Sequence, residues 1–207
     1  MIRGTVEAML DGIYPRDDAT LTSVHEETIR LSRLIDSLRE LDLIESGKMR
    51  LSLSDIDPAR LAQRATLAFQ GAAKSKGVGL EFRGTPCPRV FADPVRLDEV
   101  LYNLFSNALR HVSEGGHILV SVGVSESGMA TISVEDSGPG VPESERALIF
   151  ERFYRRDDSR AIDVGGQGIG LSIAKEIVMA HGGSIRVETS QTLGGAAFVV
   201  ELPVNRG

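Results

Sequence analysis

The sequence predicts an α+β fold: a layer of helices on a mixed, mostly antiparallel sheet, preceded by a helical hairpin. Three observations lead there. An N-terminal stripe of apolar residues at helical spacing ends at a Gly-containing stop. Two further apolar helical stretches, near 57–76 and 93–112, are interrupted irregularly by short segments alternating with period two. The alternating segments of the C-terminal half arrive as adjacent pairs with turn residues between them, which is the pattern of hairpins and not of parallel β-α-β units.

Residues 1–46 read as the hairpin. Ile2, Val6, Met9 and Ile13 recur at helical spacing, and Tyr14-Pro15-Arg16-Asp17-Asp18 breaks the pattern. A longer stripe then runs through Leu21, Val24, Thr28, Leu31, Ile35 and Leu38, widened by Leu34 and Leu41. Glu26, Glu27, Arg30, Arg33, Arg39 and Glu40 take the other face. Two helices cannot bury such a stripe alone, so pairing with a second copy into a four-helix bundle is expected. Packing against the rest of this chain is the alternative. Glu45-Ser46-Gly47-Lys48 is a helix stop and divides the chain into a hairpin domain, 1–47, and a second domain, 48–207.

Beyond the stop, Met49–Leu53 alternates as a short strand, and Pro58 opens a helix running from about Asp57 to about Lys76. Val78–Phe82 and Arg89–Ala92 read as short strands, and Asp93 caps an apolar helix reaching about Val112. His117–Val124 and Met129–Glu135 form a hairpin across Ser125–Gly128. Turns and a helix, Ile169–Ala180, fill residues 140–181. A last hairpin, Ser184–Thr189 and Ala197–Leu202, closes over Gly194-Gly195.

Composition narrows the function. Hydrophobic residues make up 42% of the 207 and charged residues 25%, enough for a packed globular core. The net charge of −6 is uneven: residues 1–47 hold five Arg against ten Asp or Glu. No basic face of the kind that binds nucleic acid emerges. Cys87, between Pro86 and Pro88, is the single cysteine and reads as an inert thiol. No run is long enough to span a membrane and the N-terminus lacks a signal-peptide pattern, so a cytoplasmic setting without membrane contact by these residues is expected.

The chemistry-bearing residues come in a restrictive order. Asn103 and Asn107 lie four apart, on one face of an otherwise apolar helix. A carboxamide oxygen is a hard ligand suited to Mg²⁺, which prefers to keep waters and take phosphate oxygens; a structural hydrogen bond is the plainer role for each. Arg110 and His111 follow and supply a cation near the same place. Asp136 ends a strand and begins Ser137-Gly138-Pro139-Gly140. A carboxylate there can accept the exocyclic amine of adenine while the glycines let the chain turn beside the base; the same residues also make an Asx turn. Gly165-Gly166-Gln167-Gly168-Ile169-Gly170-Leu171 opens a helix, whose N–H groups favour an anion. No apolar strand leads into it and no Lys follows, so it is neither a dinucleotide fingerprint nor a P-loop. The polar stretch 155–164 before it reads either as a solvated loop or as a lid with Arg155, Arg156 or Arg160 near phosphates. Together these features are the layout of a site for ATP and a divalent metal.

On these residues the chain resembles the catalytic region of bacterial sensor histidine kinases, in the GHKL superfamily with its Bergerat ATP-binding fold. Leu97–Val112 is similar to the N box, Asp136–Gly140 to the G1 box, Phe150–Arg155 to the F box and Gly166–Leu171 to the G2 box. The resemblance implies Asn107 as the Mg²⁺ ligand, with Asn103 beside it. It implies Arg110 against phosphate, His111 against the nucleotide, and Asp136 on the adenine amine, with Gly138 and Gly140 shaping the base site. Gly166, Gly168, Ile169, Gly170 and Leu171 would flank the phosphates, with Phe150, Phe153 and Arg155 at the near end of the lid. Asn103 stands where related ATPases carry a water-activating glutamate, and a neutral amide cannot be that base. The implied partners are ATP, a second copy through residues 1–47, and a response-regulator receiver domain whose aspartate takes the phosphoryl group from a histidine. One departure stands out: the family's acceptor motif, His-Glu/Asp-x-x-x-Pro, is absent, and Ile2-Arg3-Gly4 resembles the residues just after it. The acceptor is therefore expected upstream of Met1, and self-phosphorylation of these residues alone is not. His25, although followed by Glu26, sits where the family has an ordinary helical pattern. A superfamily serine kinase of the anti-sigma type and a non-enzymatic nucleotide-binding dimeric regulator are the competing readings.

Overall fold

The computed structural model describes residues 2–15, 17–25, 27–28, 31, 50–154 and 168–204. The first helix, α1 (Ile2–Leu10), carries an Arg3–Glu7 pair one turn apart and buries Met9. It stops short of Ile13 because Asp11 and Gly12 form a turn, with Gly12 at φ +72°. Helical structure resumes at 18–25, where the Asp17 carboxylate accepts the Thr20 N–H at 2.8 Å. Ile35, Leu38 and the expected stop at Glu45–Lys48 lie outside the described residues.

The remaining elements are β1 (Ser54–Ile56), α2 (Pro58–Ser75), β2 (Gly79–Gly84), β3 (Val90–Ala92), α3 (Pro94–His111), β4 (His117–Val124), β5 (Ala130–Asp136), α4 (Gly170–Ala180), β6 (Ser184–Thr189) and β7 (Ala196–Leu202). Two single-turn 3-10 segments, Glu143–Glu145 and Leu148–Phe150, lie between β5 and α4. The strand expected at Met49–Leu53 is not formed by Arg50–Leu53. Ser52 instead donates its N–H to the Asp93 carboxylate at 2.8 Å, and pairing begins only at β1, antiparallel to β3. Alternation in five residues did not outweigh a side-chain acceptor offered from a helix cap.

The main sheet runs β2-β4-β5-β7-β6. The two hairpins, β4–β5 and β6–β7, join antiparallel through β5–β7, while β2 adds to β4 in parallel after a crossover through β3 and α3. Along β5 the side chains alternate: Ile132, Val134 and Asp136 face inward, and Thr131, Ser133 and Glu135 are partly exposed. An aspartate thus occupies the last position of a core-facing row. The core itself is built from α3 (Leu97, Leu101, Leu104, Phe105), α4 (Ile173, Ile177) and the inner sheet face (Val120, Val134, Phe198).

Helix α3 is fixed at its start by an arrangement that spans the fold. The Asp93 side chain caps it by accepting the Val95 and Arg96 N–H groups, and the Asp93 N–H donates to His181 Nε2 at 3.0 Å. His181 Nδ1 lies 2.8 Å from the Ile177 carbonyl, so Nδ1 carries the proton and Nε2 is the acceptor. His181 is buried and acts here as a bolt between the end of α4 and the start of α3. Burial alone would raise the Asp93 carboxyl, but the Ser52, Arg96 and Val95 N–H groups hold it below its ordinary value. His181→Ala strands the buried Asp93 N–H, at about 1–3 kcal/mol. A melting temperature lower by roughly 3–10 °C is expected in a thermal scan.

Among the described residues no helix is long and apolar enough to cross a membrane. The Cys87 thiol, pushed up by burial, donates to the Gly123 carbonyl at 3.1 Å.

Candidate nucleotide site

Asp136 is 2% exposed although it is an ionisable side chain. Its Oδ1 accepts the Gly138 N–H at 2.8 Å and the Ala196 N–H at 3.2 Å. Burial pushes its carboxyl above the ordinary value of 3.8, opposed by those two N–H groups and by nearby His111. A buried carboxylate with one oxygen engaged by two donors presents its other oxygen as an acceptor for an N–H from a ligand.

The chain on either side has no room for side chains. A Cβ on Gly138 would stand 2.9 Å from Asp136 Oδ1 and 3.0 Å from the His111 carbonyl oxygen. The Gly195 N–H donates to the Asp136 carbonyl at 3.1 Å. A Cβ on Gly195 would meet that carbonyl oxygen at 2.3 Å and Oδ1 at 2.6 Å, closer than real atoms approach. The sequence predicts Gly194-Gly195 only as a hairpin turn; the packing makes Gly195 a required part of the Asp136 site. The signal was present as a second glycine where one suffices for the turn.

Helix α3 is the wall shared by the other motifs. Asn103 and Asn107 are half-buried on it, and among the described residues no hydrogen-bond partner occupies either carboxamide. The C-terminal end of α3 reaches the Asp136 turn through the His111 carbonyl beside Gly138. Arg110 and His111 are exposed there, and the Lys76 ammonium holds this last turn by donating to the Leu109 and Arg110 carbonyls. Farther up, a Cβ on Gly170 would come within 2.9 Å of Asn103 Oδ1. The first residue of α4 therefore rests directly on the first of the two amides. The N-cap of α4, Ile169, makes no side-chain cap bond, and its first-turn N–H groups remain donors for an anion. Leu171 is half-buried at that turn.

Residues 155–167, with Arg155, Arg156, Arg160 and Gly166, lie outside the described residues, but both ends of this segment are described and meet. The Phe153 N–H donates to the Gly168 carbonyl at 2.9 Å. Gly168 has φ +71°, and a Cβ there would strike the Tyr154 carbonyl oxygen at 2.7 Å. Phe153 itself adopts φ +62°, unusual for a residue with a side chain, and its ring is exposed. Phe150 is the buried anchor, edge-on to Phe198 with ring centres 6.3 Å apart. Of the two phenylalanines expected to fasten this end, one does so by its ring and the other by its backbone. Gly140, at φ +69°, turns the chain beyond the Asp136 loop.

The arrangement brings a buried carboxylate, two carboxamides, a cationic helix end and an uncapped helix N-terminus around one helix. The profile of the histidine kinase-, DNA gyrase B- and HSP90-like ATPases matches residues 92–206, more than half of the chain. The chain belongs to this ATPase family.

Within it, the chain is similar to the signal transduction histidine-protein kinase BaeS of Escherichia coli (strain K12), at 34% identity over 206 residues. That alignment takes in 100% of this chain but 44% of BaeS, so the chain spans less than half of that relative. Full-length ShkA in complex with AMPPNP matches with a TM-score of 0.76 at 28% identity, covering 92% of this chain and 39% of ShkA. Histidine kinase ThkA, solved in complex with the response regulator TrrA, matches with a TM-score of 0.72 at 27% identity, covering 99% of this chain and 59% of ThkA. The α+β fold of helices on a mixed, mostly antiparallel sheet is therefore the fold of histidine kinase catalytic regions.

Proposed function

We propose that these residues bind Mg-ATP and form the catalytic part of a sensor histidine kinase, which moves the γ-phosphoryl group to a histidine and onward to a response-regulator aspartate. The observation that carries the reading is the double contact of α3, at His111 with Gly138 and at Asn103 with Gly170. It supports a base acceptor at the C-terminal end of α3 and a phosphate-facing N-terminus of α4 beside the α3 amides.

Asp136 would accept the adenine amine through the oxygen not taken by Gly138 and Ala196. Asn107, with Asn103, would hold Mg²⁺. Among the described residues no cluster of three His, Cys, Asp or Glu side chains forms a metal site, and amide oxygens suit a cation that shares its coordination with phosphates. The donor set therefore fits the ion, which when bound neutralises phosphate charge. Arg110 and the N–H groups of α4 add positive potential without a proton to exchange. Asn103 cannot take a proton from water, which disfavours hydrolysis relative to transfer. Arg155 and Gly166, implied beside the phosphates, lie outside the described residues. Residues 1–47 would pair with a second copy, since Leu10, Leu21 and Leu31 are exposed on the described helical residues and Ile13 is exposed in the turn between them.

None of the chain's four histidines stands in the acceptor motif. His181 is engaged by Asp93 and Ile177, and His111 adjoins the base site. The phosphoryl group is thus expected to pass to a histidine outside these residues. Incubation with γ-labelled ATP should leave this polypeptide unlabelled and place acid-labile phosphate on an added helical hairpin carrying a His-Glu-x-x-x-Pro motif. Acid-stable label on a serine, or tight ATP binding with no transfer to any hairpin, would overturn the kinase reading in favour of a serine kinase or a nucleotide-sensing regulator respectively.

A further inference from the structure

The turn between β6 and β7 is organised by a buried hydroxyl. Ser190 is 3% exposed. Its Oγ donates to Glu135 Oε2 at 2.6 Å and accepts the Leu193 N–H at 2.8 Å. Its backbone N–H donates to the Gly195 carbonyl at 2.8 Å, and its carbonyl accepts the Gly194 N–H at 3.0 Å. Every polar group of Ser190 is therefore spent on holding this turn and tying it to Glu135. Glu135 precedes Asp136 on β5 and points to the opposite face of the sheet.

The same turn delivers the two N–H groups that grip Asp136, from Gly195 to its carbonyl and from Ala196 to Oδ1. The strand that presents the carboxylate is thus clamped from both faces by one turn, through Glu135 on one side and Asp136 on the other. We infer that Ser190, held by Glu135, is a positioning residue that fixes the rotation of the Asp136 carboxylate and so sets the preference of the site for a nucleobase carrying an exocyclic amine.

This rests on Asp136 being the base acceptor. With Oδ1 engaged by two donors, the remaining oxygen is a one-directional acceptor. A loosened turn lets the carboxylate rotate and weakens that directionality. Contacts made to phosphates from α3 and α4 do not depend on it, so base selectivity should suffer while phosphate affinity persists.

The test compares the Kd of ATP with that of ITP, its 6-oxo counterpart, by titration calorimetry on the whole chain. Wild type should prefer ATP. Ser190→Ala should shrink the ATP/ITP preference about 10-fold, through weaker ATP binding and with ITP changed less than about 2-fold. Ser190→Thr, which keeps the hydroxyl, should restore the preference. Glu135→Ala, on the partly exposed face, should reproduce the Ser190→Ala ratio and serves if that variant folds poorly. Equal losses for both nucleotides would reduce Ser190 to a structural role, and an unchanged ratio would remove the role altogether. A wild type that binds ATP and ITP equally would instead overturn Asp136 as the base acceptor, and this inference with it.

Discussion

Asp136→Asn is expected to weaken ATP binding roughly 100-fold while the protein melts at a higher temperature than wild type at pH 7. Both effects come from one fact, that a charged carboxylate is held where water scarcely reaches. The asparagine oxygen can still accept the Gly138 and Ala196 N–H groups, so the turn keeps its shape. Its nitrogen then faces the ligand as a donor where the carboxylate offered an acceptor. An adenine amine meeting a donor loses its bond and stays desolvated, which is costlier than a simple deletion. The stability gain follows from linkage. The folded-state pKa of Asp136 is raised, by burial first, above 3.8. The folded state therefore favours the protonated form. Stability is fully present below the unfolded pKa and is lost as pH rises through the folded one. At neutral pH the wild type bears that loss and the amide does not. The melting advantage of Asp136→Asn should therefore vanish on acidification toward 3.8. A variant that melts lower at pH 7, or that binds ATP normally, would refute the argument.

What the sequence disclosed and what it withheld divide along the range of the interactions involved. Asn103 and Asn107 are legible because a helix repeats locally, and Asp93 is legible as a cap because it accepts N–H groups two and three residues on. Asp136 is legible as the end of an alternating strand. The residues that hold these in place act across the fold. His181 bonds a backbone group 88 positions away, and Ser190 bonds a carboxylate 55 positions away. Neither partner leaves a trace in local periodicity. His181 before two glycines reads as a helix-end residue, which is right about its place and silent about its bond. Gly195 is similar, since its lack of a side chain is required by Asp136, 59 residues earlier, and not by the turn in which it sits. The missing strand at Arg50–Leu53 failed for the same reason in reverse: local alternation was correct as pattern, but the Ser52 N–H was claimed by Asp93 from 41 residues on. The parallel placement of β2 beside β4 was equally invisible, because it depends on where the chain returns after α3 and not on the strand itself.

Asn107→Ala should abolish the increment that Mg²⁺ adds to ATP affinity and reduce phosphoryl transfer to an added acceptor hairpin by about 10²–10³-fold. The two readouts separate a ligand from a packing residue. Asn107 is half-buried on α3, one turn beyond Asn103, whose amide oxygen is crowded by Gly170 at the start of α4. Alanine is the better helix former, so the helix itself should not suffer. Its small side chain removes only the amide. Titrating ATP with Mg²⁺ and again with EDTA should show wild type binding more tightly in the metal, and Asn107→Ala binding alike in both. Affinity in EDTA should stay within about 2-fold of wild type, because the base contact proposed for Asp136 comes from β5 and does not pass through the Asn107 amide. If Asn107→Ala instead weakens binding by the same factor with and without metal, the amide supports the nucleotide without holding the cation. The cation would then have to be held by phosphates and water alone, and transfer should fall no more than binding does. The opposite result, a lost metal increment with binding in EDTA intact, ties the chemistry to one oxygen atom on a helix that the rest of the fold bolts at both ends, through Asp93 and His181 at its start and Lys76 at its last turn.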